Sequence, residues 1–389
     1  MKLEKIVVIT GGGHISTFGA GLKGAALEAE ERDITLLGAL GGYEGLEKGD
    51  LIPLSSEMID EYKAGSIIGS KREKANPEKI AATLRGQSID GVVVLGGNDH
   101  LGEAAILAES GLPIVGWPKT MDNDLSRTEF TFGFPTAVSI AAQGISEAHV
   151  DAVTNRRVDL IGLFGRNTDW VVATAGTWGG ADLIIGGEAP IKDGTTSYTL
   201  PELYTQIKEA ARRNALLYGV PFAVVAVSEA AKISGLPNYV EMMPVKKDIH
   251  GNPKLQPAVL VSALAEALET YAKSLGEKFS VTGDIITYAM RNKSPTDFER
   301  ILGIEAGRET IRMLVERDTG KSVVLVNGGK YTLGRAPLGE VKEQRKLLPE
   351  GHMDYGALKA NQSLVHAYTQ LLGEVPSKER HLEGLLLKR

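Results

Sequence analysis

The sequence predicts an α/β protein of two doubly wound lobes with largely parallel sheets. Two observations predict it. Short runs of β-branched and aliphatic residues recur at Ile6 to Ile9, Ile34 to Leu37, Gly91 to Leu95, Pro113 to Val115, Asp159 to Leu163 and Ala223 to Val227, each ending in glycine or a polar turn. Between them lie longer segments with helical spacing, such as Pro77 to Arg85 and Thr136 to Val150. Strands apolar on both faces need helices on both sides. Right-handed crossovers between parallel strands then wind the sheet in two directions, and ligands collect at the strands' carboxyl ends. The 389 residues suffice for two such lobes.

The first strand, Ile6 to Ile9, is too short for the core of a signal peptide, and no apolar stretch is long enough to span a bilayer. A soluble chain with no membrane partner is expected. The formal charge of −6 is spread over alternating Lys and Glu, which leaves no basic face for nucleic acid, so an anionic ligand must be met locally. With no cysteine, disulfides, thiolate metal sites and thiol nucleophiles are excluded. That composition suits a reducing compartment, and a cytoplasmic location is the expectation. The 46 glycines imply many tight turns of the sort that let a backbone approach phosphate.

Three motifs mislead. Gly19-Ala-Gly21-Leu-Lys-Gly24 has the letters of a dinucleotide turn but begins ten residues after the strand, so it reads as a small-residue surface packing a helix on the sheet. Gly320-Lys321-Ser322 lacks the upstream glycine of a P-loop, Val315 standing there, and it joins a helix to a strand. His14, His100 and Asp99 offer no zinc spacing, and each histidine is expected to be a polar turn residue. The tail from Leu338 onward is expected to form helices and solvated loops closing the second lobe.

Chemistry concentrates at three strand ends: Thr10 to His14, Leu95 to His100, and Trp117-Pro-Lys-Thr-Met-Asp-Asn-Asp124. Glycines there bring N–H groups to a polyphosphate. The third segment crowds Lys119, Thr120, Asp122 and Asp124 together, which a simple turn does not require. Phosphoryl transfer to a hydroxyl needs a carboxylate to take its proton and cations to offset charge on the phosphoryl oxygens, roles open to Asp122 and Lys119. The alternative makes Asp122 and Asp124 an Asx turn and an N-cap. Asp99 has a capping alternative too.

Gly96-Gly-Asn-Asp99 and Pro118-Lys-Thr-Met-Asp-Asn-Asp124 resemble phosphofructokinase signatures. The resemblance continues through Gly45-Leu46, Ile67 to Arg72, Thr131-Phe-Gly-Phe134, Arg157, Gly165-Arg166, Gly179 to Asp182, Ser228-Glu229 and Arg291 to Arg300. It implies a donor-binding lobe of residues 1–136 with about 290–340. A sugar-phosphate-binding lobe follows, about 137–289 with 341–389, and the active site lies in the cleft between them. Asp122 would be the base for the 1-hydroxyl of fructose 6-phosphate, with Thr120 and Asp124 orienting the reactants and Arg166 steadying the phosphoryl. Arg157, Arg291 and Tyr288 would grip the sugar phosphate, one arginine in this family being able to come from a neighbouring subunit. Phe164 and Gly165 would border it, and Glu229 would accept from its hydroxyls. Gly12, Gly13, Arg72, Gly97, Asn98, Asp99 and Lys119 would hold the donor. Asn98, Asp99 and Asp122 would serve Mg2+. A homodimer or homotetramer is implied.

Asp99 and Lys119 resemble the pyrophosphate-dependent relatives, since an aspartate there repels an α-phosphate and the lysine adds charge for a donor without adenosine. The expected activity is reversible phosphoryl transfer from pyrophosphate to fructose 6-phosphate, placing the chain in glycolysis or gluconeogenesis. Several residues depart from the family pattern: Asn98 for aspartate, His14 and Gly19 in the first loop, Phe164 for methionine, and Thr282 for arginine. These keep three alternatives open, namely another acceptor such as sedoheptulose 7-phosphate, ATP as donor, or a non-catalytic sugar-phosphate-binding subunit.

Overall fold

The computed structural model describes residues 3–386 apart from 193, 237–245, 248, 250, 252–253, 329 and 344. Chain packing divides it into two compact units, residues 1–136 with 291–346, and 137–290 with 347–389. The chain leaves the first unit at Lys346, later than the expected 340. Lys346 donates its N–H to the Asp124 carbonyl at 3.0 Å and its ammonium to the Thr128 carbonyl at 3.0 Å, which ties residues 338–346 to the first unit and not to the second.

In the first unit β1 (Lys5–Thr10), β2 (Thr35–Ala39), β3 (Leu51–Pro53), β4 (Gly91–Gly96) and β5 (Ile114–Thr120) are interleaved with α1 (Phe18–Glu31), α2 (Tyr43–Lys48), α3 (Pro77–Gly86) and α4 (Asn98–Glu109). A short β6 (Phe132–Gly133) pairs with β5 and leads into α5 (Phe134–Asn155). The second unit carries β7 (Val158–Leu163), α6 (Trp170–Trp178), β8 (Leu183–Ile185), β9 (Tyr198–Thr199), α7 (Leu200–Tyr218), β10 (Ala223–Ser228), β11 (Ile233–Ser234), α8 (Pro257–Ser274) and β12 (Val281–Ile286), and the boundary between the units falls within the short α9 (Ala289–Asn292). The first unit resumes at Arg291 and continues in α10 (Asp297–Val315), β13 (Lys321–Asn327), β14 (Tyr331–Pro337) and α11 (Leu338–Glu343).

The first sheet runs β14-β13-β5-β4-β1-β2-β3, parallel except for β2 with β3 and β13 with β14. Every residue of β4 is buried, as are Ile6 to Thr10 of β1. Each such Val or Leu contributes about 1.5–3 kcal/mol by leaving water. From β1 the chain winds one way to β2 and later the other way to β4, so strand order reverses beside β1. Such a reversal is where an open α/β sheet offers its carboxyl ends to a ligand.

The second sheet, β12-β7-β10-β8, is parallel throughout. The α/β fold with mostly parallel sheets is as the sequence predicts, and the strand forecasts fall within or beside observed strands. Among the described residues no helix is long and apolar enough to cross a membrane.

The glycine triplet lies inside α1. A Cβ on Gly24 would come within 1.9 Å of the Ile304 carbonyl oxygen, and one on Gly307 within 2.2 Å of the Gly21 carbonyl oxygen. The small residues therefore seat α1 on α10 as well as on the sheet side chains Leu95 and Trp117. The packing against the sheet is joined by a contact the sequence did not foretell: backbone touches backbone between two helices.

Candidate active site

The three polar strand ends are neighbours because β1, β4 and β5 are. Thr10 is in register with Leu95, and Gly96 with Pro118. Gly11 N–H donates to the Leu95 carbonyl at 2.9 Å. Gly97 is the N-cap of α4, and a Cβ there would stand 3.1 Å from the Lys119 carbonyl oxygen. Glycine lets these two loops touch.

Cations gather on the first loop. Gly12, at φ 97°, has room for a Cβ only 2.8 Å from Lys119 Nζ, while a Cβ on Gly13 would meet Arg72 Nη2 at 2.7 Å and Arg291 Nη1 at 3.7 Å. Lys119 is 1% exposed, its ammonium 4.6 Å from the Phe18 ring centroid. Burial first, then the charges of Arg72 and Arg291, pull it down to about 7, with Asp122 opposing. His14 is held well below its usual range by burial and then by Lys119 and Arg291, so it is neutral; its ring shares a hydrogen bond with the Ser16 hydroxyl.

Both histidine expectations need correction. His14 is 4% exposed, and His100 is 1% exposed, lies in the first turn of α4 and stacks on Tyr43 at 5.7 Å between centroids. The bare backbones of Gly11 and Gly96 make room for the His100 side chain. Asp99 does not cap α4, since Gly97 takes that place with no side-chain cap; it sits in the first turn, where a carboxylate suits the helix dipole.

The Lys119–Asp124 segment is set by its neighbours. Thr120 Oγ1 accepts from Asp122 N–H at 3.2 Å, Thr131 donates its hydroxyl to the Thr120 carbonyl at 2.6 Å, and Asn123, at φ 51°, accepts from Thr131 N–H at 3.1 Å. No helix follows Asp124 directly, so the N-cap alternative fails; Thr120 and Asn123 bond within the turn, and Asp122 is half-buried. Two supports escape motif reading. Lys346, 223 positions from Asn123, reaches its side-chain oxygen at 3.5 Å, and burial lowers that lysine to about 8. Glu299, fully buried and raised to about 7 by burial, accepts from Gly133 N–H, Thr136 N–H and the Thr136 hydroxyl. A long-range buried polar partner leaves no local spacing to find it by.

In the second unit Phe164, Glu229 and Tyr288 follow the carboxyl ends of the adjacent strands β7, β10 and β12. Gly165 N–H donates to Glu229 Oε1 at 3.2 Å, Ser228 donates to the Gly165 carbonyl at 3.3 Å, and Phe164 meets Tyr288 edge-on at 5.5 Å. Arg166 follows Gly165 and is half-buried. Behind this end Asp169 accepts from Gly187 N–H at 2.7 Å, Glu188 N–H at 2.8 Å and the Tyr355 hydroxyl at 2.9 Å.

Arg157 is not with them. It stands at the amino end of β7, ion-paired to Asp159 at 3.0 Å and to Asp151, and the six residues of β7 put it about 20 Å from Arg166. Thr282 is in register with Asp159 at that same end. Arg291 belongs to the first unit, where its guanidinium faces the diglycine loop.

Among the described residues no three acidic or histidine side chains gather as a metal site. That suits Mg2+ only in the mode where one or two carboxylates are supplemented by phosphate oxygens and water.

The Phosphofructokinase family profile matches residues 5–314. A pyrophosphate–fructose 6-phosphate 1-phosphotransferase of Dictyoglomus thermophilum is 29% identical, with 84% of this chain and 90% of that protein covered. An ATP-dependent 6-phosphofructokinase of Spirochaeta thermophila is 30% identical, with 89% and 93% covered. The crystal structure of a pyrophosphate-dependent phosphofructokinase from Marinobacter aquaeolei matches with a TM-score of 0.76 at 19% identity, covering 100% of this chain and 98% of that one.

Proposed function

The chain belongs to the phosphofructokinase family, and within it we propose that pyrophosphate is the donor and the 1-hydroxyl of fructose 6-phosphate the acceptor, the products being phosphate and fructose 1,6-bisphosphate. One observation carries the donor: Lys119, Arg72 and Arg291 converge on a loop, Gly12-Gly13, that has no side chains of its own. Such a cradle binds a compact polyanion, and Asp99 in the first turn of α4 disfavours a further phosphate beside it. Relatives of both donor types are near 30% identity, so overall likeness does not choose between them.

The residues divide the work. Gly12, Gly13, Gly97, Arg72, Arg291 and Lys119 bind the donor; Asp122 takes the proton of the attacking hydroxyl, with Thr120 and Asp124 orienting the reactants; Arg166 neutralises the phosphoryl in transfer; Glu229 and Tyr288 receive the sugar. The first unit thus serves the donor and the second the sugar phosphate. Arg157, turned to the opposite end of β7, serves a neighbouring copy of the chain in a homo-oligomer. Mg2+, when bound, offsets charge on the phosphate oxygens; Asp122, Asp99 and the Asn98 amide would hold it together with those oxygens.

The test is aldolase-coupled NADH loss from fructose 6-phosphate and magnesium, with pyrophosphate in one cuvette and ATP in the other. Activity with pyrophosphate alone is expected. Activity with ATP alone would overturn the donor assignment. A second reading, an altered acceptor such as sedoheptulose 7-phosphate, is favoured by the Phe164–Tyr288 pair beside Glu229, and the same assay with that sugar phosphate addresses it.

A further inference from the structure

Residues 66–73 form a strap across the ends of β1 and β2. Thr10 Oγ1 bonds Ser66 Oγ at 2.9 Å, Gly41 N–H donates to the Ile68 carbonyl at 2.7 Å, Ser70 donates to the Gly12 carbonyl at 2.9 Å, and Gly12 N–H reaches the Lys71 carbonyl at 3.3 Å. The strap ends by sending two opposite charges to different places. Arg72 goes to Gly13. Glu73 goes to Gly42, where its Oε1 accepts from Glu44 N–H at 2.7 Å. A Cβ on Gly42 would lie 2.8 Å from that oxygen and 3.4 Å from the Thr10 carbonyl oxygen, so the carboxylate borders the end of β1.

Glu73 places its carboxyl close to the cradle. Lys71, its neighbour, is engaged by Glu44 at 2.5 Å, and Glu44 also holds Lys48 at 2.5 Å. Among the described residues no lysine or arginine forms an ion pair with Glu73. The groups facing it are Glu44, Glu47 and Lys71, and burial raises its carboxyl above the ordinary range.

Strand order gives this position meaning. The base Asp122 follows β5, so the donor's reacting phosphoryl points toward β5 and its leaving end points the other way, past β4 and β1 toward β2. Glu73 stands on that side. A diphosphate ends at Arg72 and Gly13, whereas a nucleotide carries another phosphate and a nucleoside beyond them.

Resting on the pyrophosphate reading above, we propose that Glu73 is a specificity-determining residue whose carboxylate bars donors that extend past a second phosphate. Like charge at close range in a half-buried setting supplies the discrimination.

The experiment compares wild type with Glu73→Gln and Glu73→Ala. Two quantities are read: the ratio of kcat/KM for ATP to that for pyrophosphate, and ADP affinity by calorimetry without turnover. Gln retains an oxygen for Glu44 N–H and loses the charge. E73Q should raise the ATP-to-pyrophosphate ratio by about tenfold or more and tighten ADP binding by a similar factor, the equivalent of about 1.4 kcal/mol. The proposal is overturned if E73Q matches wild type in both readouts while E73A loses both donors alike, since Glu73 would then only anchor the loop. Wild type that works with ATP and not pyrophosphate sinks the donor assignment instead, and the ADP titration still judges Glu73 by itself.

Discussion

Each unit buries charge behind its strand ends, but in opposite ways. In the first, Lys119 is packed over Phe18 and beside Arg72, Arg291 and neutral His14; among the described residues no carboxylate lies within ion-pair distance of it. In the second, Asp169 receives two N–H groups and the Tyr355 hydroxyl, while Glu188 accepts from Asp169 N–H at 2.6 Å and Leu348 N–H at 3.2 Å. Buried charges whose lone pairs are met by the protein hold chain segments together. Like charges crowded round a bare glycine loop make a site suited to an anionic ligand. The contrast separates scaffold from site more cleanly than burial does.

The sharpest test of it is Asp122→Ala, at a carboxylate that the first unit leaves half-buried. Turnover should fall by roughly 10² to 10⁴, the usual cost of losing a general base, with fructose 6-phosphate binding and melting temperature little changed. Near-normal turnover would move Asp122 to the scaffold side of the comparison. The mirror experiment is Lys119→Met, which keeps the buried stem and removes the charge. The pyrophosphate KM should rise by about 10- to 100-fold.

Stability should move the opposite way in that variant. The folded Lys119 titrates near 7 against an ordinary 10.5, so the unfolded chain holds more protons between those values and wild-type stability at this site rises with pH across that window. K119M should therefore melt higher than wild type by a few degrees at about pH 6, with the gain shrinking toward pH 10. A lower melting temperature at pH 6 would show that the ammonium is well paired after all. In wild type, pyrophosphate binding should weaken as pH rises above 7 and should take up protons near pH 8.

What the sequence made legible was local. Strands apolar on both faces announced the parallel sheets, and the crowding of Lys119, Thr120, Asp122 and Asp124 after one of them announced the site, because no turn needs that much polarity. What it hid was direction and distance. Arg157 is near Arg166 in sequence, yet a strand lies between them, and an extended strand sends its two flanking residues to opposite ends of the sheet. For Arg291 the resemblance suggested a sugar-phosphate ligand but could not say which way its side chain turns; its guanidinium faces Gly13. Lys346 and Glu299 support the site from far along the chain, and no spacing rule connects Lys346 with Asn123 or Glu299 with Gly133. The Gly19–Gly24 triplet illustrates the converse: it lies within a helix, where Gly24 meets the backbone of α10 and Gly21 faces Gly307.

The smallest effect is expected in the satisfied network. Burial and then the neighbouring Asp169 charge raise Glu188 to about 7 against an ordinary 4.5, although two N–H groups oppose the shift. Folded protein then holds more protons than unfolded between those values, so this site's stabilisation is fully present below about 4.5 and is lost as pH rises through about 7. Glu188→Gln keeps an oxygen for Asp169 N–H and Leu348 N–H and removes the titration. Its melting temperature should match wild type near pH 4.5 and exceed it by roughly 2 °C at pH 8, and the slope between should flatten without vanishing, because Asp169 titrates with Glu188 as a pair. Turnover should not change. An unaltered slope would mean that Glu188 stays ionised through this range, its charge held by the Asp169 and Leu348 N–H groups.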